Sequence, residues 1–144
     1  MNSFDTNILF YSLNEDCPES APAFGIIQNA LENPEEWIIA DQVYFELYRL
    51  IRNPSVLEHP VTGAQAYELI NYYRNKSGWL KCNYEIDFWK DMIPFLETGV
   101  FSSAGIFDLR LAVTLKNNNV KNLYTRNAKD FAHFSWFEIS NPIP

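Results

Sequence analysis

Four acidic residues far apart in the chain, Asp5, Glu46, Asp108 and Asp130, carry the chemistry that this sequence could perform. Each sits in or beside apolar residues. Phe4 precedes Asp5, Phe107 and Leu109 flank Asp108, Phe131 follows Asp130, and Glu46 interrupts a hydrophobic stripe. A carboxylate in such surroundings is costly unless something positive meets it. Hard divalent cations such as Mg²⁺ take oxygen ligands and keep several waters. Two such ions roughly 3.5–4 Å apart stabilise the attacking and leaving oxygens of a phosphodiester under hydrolysis. The acid set therefore points to metal-assisted phosphoester chemistry.

Each acid also has a plainer explanation. Asp5 leads Asp5-Thr6-Asn7, and all three residue types cap helices well. Glu46 could lie along the surface and pair with Arg49 or Arg52. Asp108 could serve the dipole of a helix whose first turn it occupies. Thr125 and Asn127 could cap a short helix, and Asp130 could be a solvated surface acid. No other constellation competes. His59 and His133 have no nucleophile at a recognisable spacing, Cys17 and Cys82 form no ligand pattern, and there is no glycine-rich phosphate loop.

The elements that must position these residues alternate between short apolar runs and helical patterns. A very short strand ends at Asp5 and runs into a helix capped by Thr6 or Asn7. Ala23 to Leu31 is helical, Trp37 to Ala40 reads as a buried strand, and a helix starts at Asp41 or Gln42. In that helix Val43, Leu47, Leu50 and Ile51 make one stripe, with Glu46 inside it. Thr62 caps a helix to about Asn75, Trp79 to Cys82 is either extended or loop, and Tyr84 to Leu96 reads as a helix. Phe101 to Gly105 is a loop leading into the helix of Asp108, which ends at Asn117-Asn118-Asn119. Val120 to Thr125 and Trp136 to Ile139 are strand candidates. This alternation predicts an α/β fold, a three-layer α/β/α sandwich around a parallel sheet, in one domain over residues 1–144. At the carboxyl ends of such strands lies the ligand crevice, so Asp5 and the turn Thr125-Arg126-Asn127 would both face it.

Composition sets the outer limits. A composition of 47% hydrophobic and 16% aromatic residues argues against disorder. The two cysteines fit a reducing cytoplasm, no signal segment is visible, and no apolar run reaches the roughly 20 residues of a membrane span. The net charge of −7, from 18 acidic and 11 basic residues, argues against holding nucleic acid on a broad basic surface. It leaves room for an enzyme that meets phosphate through bound cations, which reverse the local sign.

Asp5-Thr6-Asn7, Glu46, the segment Ile106 to Ala112 around Asp108, and Tyr124-Thr125-Arg126-Asn127-Ala128-Lys129-Asp130-Phe131 together resemble a PIN domain. More narrowly, they resemble the VapC-type toxins of toxin–antitoxin pairs. Arg52-Asn53-Pro54 after the glutamate helix is similar to such toxins too. The resemblance spans nearly the whole chain, and its specificity lies in the four pieces in order. It implies a Mg²⁺- or Mn²⁺-dependent endoribonuclease, inhibited by a small VapB-type antitoxin and often a homodimer. By resemblance Asp5, Glu46 and Asp108 are the metal-binding acids. The fourth position falls on Asn127, which is neutral, with Asp130 three residues on to supply charge. Asp5 and Asp108 would hold the cation while Glu46 orients or activates the attacking water. Thr6, Asn7, Thr125, Arg52 and Arg126 would contact the RNA. A DNA nuclease using the same acids, and a non-catalytic interaction module with a degenerate site, are the competing expectations. Tyr44, Tyr48, Tyr72 and Tyr73 would be either a docking surface or core.

Overall fold

The computed structural model describes residues 1–144. Five short strands, β1 (Asn2–Phe4), β2 (Ile38–Ala40), β3 (Leu80–Cys82), β4 (Asn122–Tyr124) and β5 (Glu138–Ser140), are all parallel. One trio runs β1-β4-β5, and β2 pairs with β3. A single parallel bridge from Asn2 to Trp37 joins the two. The resulting order is β3-β2-β1-β4-β5. Every residue of β2 is buried, with Ile39 fully so, and successive strand residues point to opposite faces. Both faces of this sheet are therefore covered.

The helices that cover it are α1 (Thr6–Leu13), α2 (Ser20–Glu32), α3 (Asp41–Ile51), α4 (Gly63–Asn71), α5 (Trp89–Leu96) and α6 (Gly105–Asn117). The chain steps from β1 to β2 to β3 in one direction, then returns across β1 to β4. Right-handed crossovers put α1 to α4 on one face and α5 and α6 on the other. Consistent with this, α1 packs on α2 and α3, while α5 packs on α6. The strand order reverses at β1 and β4, the switch point where open α/β sheets bind ligands. One contiguous core, including Phe4, Trp37, Leu47, Leu109 and Phe131, ties both layers to the sheet.

Local chemistry explains where elements start and stop. Thr62 caps α4 in a capping box with Gln65, and a π-helical stretch from Tyr72 to Lys76 continues it. After α6, Asn119 takes the left-handed conformation at φ 61° and turns the chain toward β4. Trp79 to Cys82 resolves into β3, because Leu80 to Cys82 completes the ladder of β2.

Two expectations need correction. The cap of α1 is neither Thr6 nor Asn7 but Asp5, whose Oδ1 accepts from Thr6 N at 2.7 Å. The helix expected from Tyr84 begins only at Trp89. Asn83 Oδ1 accepts from Tyr84 N and Asp87 is bonded to Lys90, so local polar bonds hold residues 84–88 in turns. The tyrosines divide: Tyr44 and Tyr73 are core, while Tyr48 and Tyr72 are exposed.

Candidate active site

Asp5 occupies the carboxyl end of β1, at the sheet's switch point. Its N–H donates to Tyr124 O at 2.9 Å, so the β1–β4 ladder extends one residue and brings Asp5 beside Thr125. Thr125 Oγ1 donates to Asp5 Oδ2 at 3.0 Å, and Asn7 Nδ2 donates to the same oxygen at 3.1 Å. Asp5 is thus both the cap of α1 and a buried acid, only 7% exposed. The two explanations offered by the sequence are not alternatives. The capping bond aims one carboxylate oxygen at the helix and leaves the other toward Thr125.

Glu46 comes to the same place from the middle of α3. Thr6 Oγ1 donates to its Oε2 at 2.7 Å, and Gln42 Nε2 donates to its Oε1 at 3.0 Å. Pairing with Arg49 or Arg52, the plainer reading of the sequence, does not occur. The stripe on α3 packs inward and carries Glu46 with it to the crevice, whereas Arg49 and Arg52 point out to solvent. Asp108 lies in the first turn of α6, half-buried. Asp130 stands on the short 3₁₀ turn Ala128–Phe131 and is exposed.

The electrostatics show that the four acids share one neighbourhood. Burial pushes Asp5 up to about 6, against the pull of the Thr6 N–H, and repulsion from Glu46 and Asp130 adds to the rise. Burial also lifts Asp108 to about 7, reinforced by the charges of Asp5, Asp130 and Glu46. None of the four has a basic side chain within salt-bridge distance. Asp41, the first residue of the same helix as Glu46, shows the contrast, because Arg74 neutralises it at 2.7 Å. Two desolvated carboxylates, Asp5 and Asp108, repelled by two neighbouring acids and ion-paired to no basic side chain, suit a divalent ion. As they stand, no three of these side chains have closed onto one point as a finished coordination sphere.

The remaining candidates fall into two groups. Thr6, Asn7 and Thr125 belong to the acid network itself. Arg126 is tied to that network by its backbone N–H, which donates to Asn7 Oδ1 at 3.0 Å. Its guanidinium, however, turns to Glu19 at 3.2 Å and to the Tyr11 hydroxyl. Asn127 gives its backbone N–H to Thr125 Oγ1 at 3.0 Å and makes no side-chain cap. Arg52 is not brought to the acids. It ends α3, over the Tyr48 ring and beside Gly63.

One residue went unnoticed in the sequence. Gln42, 8% exposed, donates to both Glu46 Oε1 and Phe107 O, and accepts from Arg110 Nε at 2.9 Å. It links the helix of Glu46 to the helix of Asp108. Its position one turn before Glu46 was the available signal, but an amide there reads equally well as helix surface.

No family model matches the chain. It is, however, 32% identical over 143 residues to Ribonuclease VapC24 of Mycobacterium tuberculosis, covering 99% of this chain and 97% of that one. The chain belongs to the VapC-type PIN-domain ribonuclease toxins. Solved structures of low sequence identity share the fold. Mycobacterium tuberculosis VapC20, described as a Sarcin-Ricin loop cleaving toxin, superposes with TM-score 0.67 at 12% identity over 93% of this chain and 95% of its own. FitAcB from Neisseria gonorrhoeae gives 0.62 at 17% identity, over 99% and 98%. A toxin-antitoxin complex from Klebsiella pneumoniae gives 0.59 at 22%, over 99% and 98%. In this VapC-type chain, the acids meet where the strand order reverses.

Proposed function

We propose that the protein is a divalent-metal-dependent endoribonuclease, the toxin of a pair neutralised by a cognate VapB-type antitoxin. The observation that carries this reading is the unneutralised cluster of Asp5, Glu46, Asp108 and Asp130 at the sheet's switch point. Asp5 and Asp108 would hold Mg²⁺ or Mn²⁺, with Glu46 beside them. Such an ion, when bound, polarises the scissile phosphate and lowers the pKa of water.

The chain's own residues do the rest. Thr6 and Gln42 occupy one lone pair on each oxygen of Glu46, so its carboxylate is held in one orientation for a water proton. Thr125 and Asn7 fix Asp5. Asn127 carries a neutral amide and could contribute only a weak oxygen ligand, while Asp130 supplies the negative charge on that side. Arg126, tied to the acid network through its backbone, is a candidate for a backbone phosphate contact once released from Glu19.

Purified Asp5→Ala and Asp108→Ala variants should lose Mg²⁺-dependent cleavage of single-stranded RNA; parental rates in both would rule the scheme out. Matched RNA and DNA oligonucleotides decide between ribonuclease and DNA nuclease. The neutral Asn127 is the observation that favours a non-catalytic module, and calorimetric titration with Mn²⁺ showing no binding would support it.

For protein partners, the exposed aromatic face of α3 and α4 is the available surface. Phe45 is 76% exposed and Tyr67 66%, and Tyr48 and Tyr72 join them. An antitoxin or a second copy would bury this apolar area. No helix is long and apolar enough to cross a membrane.

A further inference from the structure

We propose that a cleft beside the acid cluster receives one unpaired nucleobase of the substrate, adjacent to the phosphate under attack; this rests on the ribonuclease reading above. The cleft has a volume of about 230 Å³, between the start of α6 and the turn after β4. Val100, Phe101, Ser102, Lys129 and His133 line it together with Asp108. Asp130 lies on its rim as well, so the cleft and the acid site share two carboxylates. Anything seated in it is one step along a chain from a phosphate at Asp108.

Its size selects the occupant. Pockets for drug-sized ligands run to about 300–1,000 Å³. This one is smaller and suits a single planar ring system. Its lining selects further. Phe101 and His133 stand with ring centroids 5.6 Å apart at 55°, in contact with each other, so together they offer one bent aromatic surface on which a base can lie. Behind Phe101 lies the buried Phe134, nearly parallel at 15° and 6.1 Å, and Phe134 in turn packs on Phe131 and Trp136. The platform is thus braced by the core. Gly105 keeps its base narrow, since a Cβ there would stand 3.0 Å from Ser102 Oγ and 3.7 Å from Phe101 Cδ1. Val100 adds apolar surface, 62% exposed, at the mouth.

The protein's charge gives the cleft a purpose. A net charge of −7 argues against holding RNA along a broad basic groove, which leaves few phosphate contacts to supply affinity. Lys129 is the one cation lining the cleft. Stacking of unpaired bases on Phe and His side chains is a further general source of affinity for single-stranded RNA. Stacking would also make the enzyme select single strands, because a paired base cannot enter.

The test is an NMR titration of isotope-labelled protein with AMP, GMP, CMP and UMP in the presence of Mg²⁺. At least one nucleotide should shift the ring resonances of Phe101 and His133 together. Phe101→Ala should weaken that nucleotide about tenfold, a conversion of stacking worth about 1.4 kcal/mol. His133→Ala, at an exposed position, should weaken it too, and Phe101→Trp should retain it. Silence of both rings with all four nucleotides overturns the proposal, whether or not the amides around Asp108 respond. Unchanged affinity in both alanine variants overturns it as well. Parental cleavage of single-stranded RNA is measured in parallel. Cleavage with a silent cleft removes this proposal alone, and a responding cleft without cleavage removes the ribonuclease reading alone.

Discussion

Gln42 Nε2 lies 3.0 Å from Glu46 Oε1, one helical turn away, and this amide also reaches across to Phe107 O at 2.8 Å. The glutamate's orientation is therefore coupled to the first turn of the helix that carries Asp108. Gln42→Ala removes the donor to Glu46 and leaves Arg110 Nε without its acceptor. Hydrogen bonds to charged groups contribute about 1.5–3 kcal/mol, so kcat for RNA cleavage should fall at least about tenfold. The KM should change little, because Gln42 touches no surface open to substrate. Steady-state kinetics separates the two parameters, and an unchanged kcat would show that Glu46 needs no such hold.

Asp5→Asn should abolish cleavage yet stabilise the metal-free protein. The carboxyl of Asp5, raised from 3.8 to about 6, is ionised at neutral pH in a buried site that favours its neutral form, at a cost on the order of 3 kcal/mol. An amide relieves that cost while keeping an oxygen for Thr6 N–H; the bond from Asn7 Nδ2 is lost, a smaller cost, and the Thr125 hydroxyl can turn to accept. The melting temperature in EDTA should rise by several degrees. Added Mn²⁺ should raise it further in the parent but not in the variant. A variant that melts below the parent in EDTA would contradict the electrostatic account.

Much of this arrangement could be read from the chain, and the reason is physical. Asp5, Thr125 and Asp108 follow or open elements whose apolar runs are short and unambiguous, so topology alone carried them to one crevice. Glu46 was legible only in part: its place inside the stripe Val43, Leu47 and Ile51 suggested the crevice, but a surface pairing with Arg49 or Arg52 fitted the same spacing. What escaped was set by side-chain contacts between distant segments. Gln42 looks like helix surface until Phe107 and Arg110 are beside it. Arg52 and Arg126 share a residue type, but only Arg126 is stitched to the acid network, through a backbone bond to Asn7 that no periodicity reveals. Residues 84–88 carry helix-compatible letters, and the Asn83 and Asp87 side chains outbid the helix locally.

The pH dependence follows from the two raised acids. Both Asp5, at about 6, and Asp108, at about 7, bind protons more tightly folded than unfolded. Between the unfolded value of 3.8 and these values the folded state carries more protons, so stability falls as pH rises. In EDTA the melting temperature should therefore drop between pH 5 and about pH 8. Saturating Mn²⁺ should flatten or reverse that drop, because cations bind the deprotonated carboxylates. Cleavage should climb over the same window. A metal-free melting temperature that rises with pH across it would refute a shared cluster whose acids have no ion-pair partner.

Arg126 and Glu19 predict opposite effects on substrate affinity. The guanidinium lies 3.2 Å from Glu19 and over the Tyr11 ring at 5.0 Å, while its backbone anchors it to Asn7 at the acid site. Both partners are partly exposed, so the pair is weak and an incoming phosphate can compete for the arginine. Arg126→Ala should raise the KM for RNA severalfold and reduce the salt dependence of binding by about one phosphate contact. Glu19→Gln removes the competitor and should lower the KM instead, with kcat unaltered in first approximation. Steady-state cleavage kinetics reads the KM effects, and fluorescence-anisotropy titrations of a labelled single-stranded RNA over a range of salt concentrations, in EDTA to prevent cleavage, read the salt dependence. Equal, small changes in the two variants would mean that Arg126 serves only to pin α1 to the loop of Glu19, and that phosphate contact falls to another residue such as Lys129.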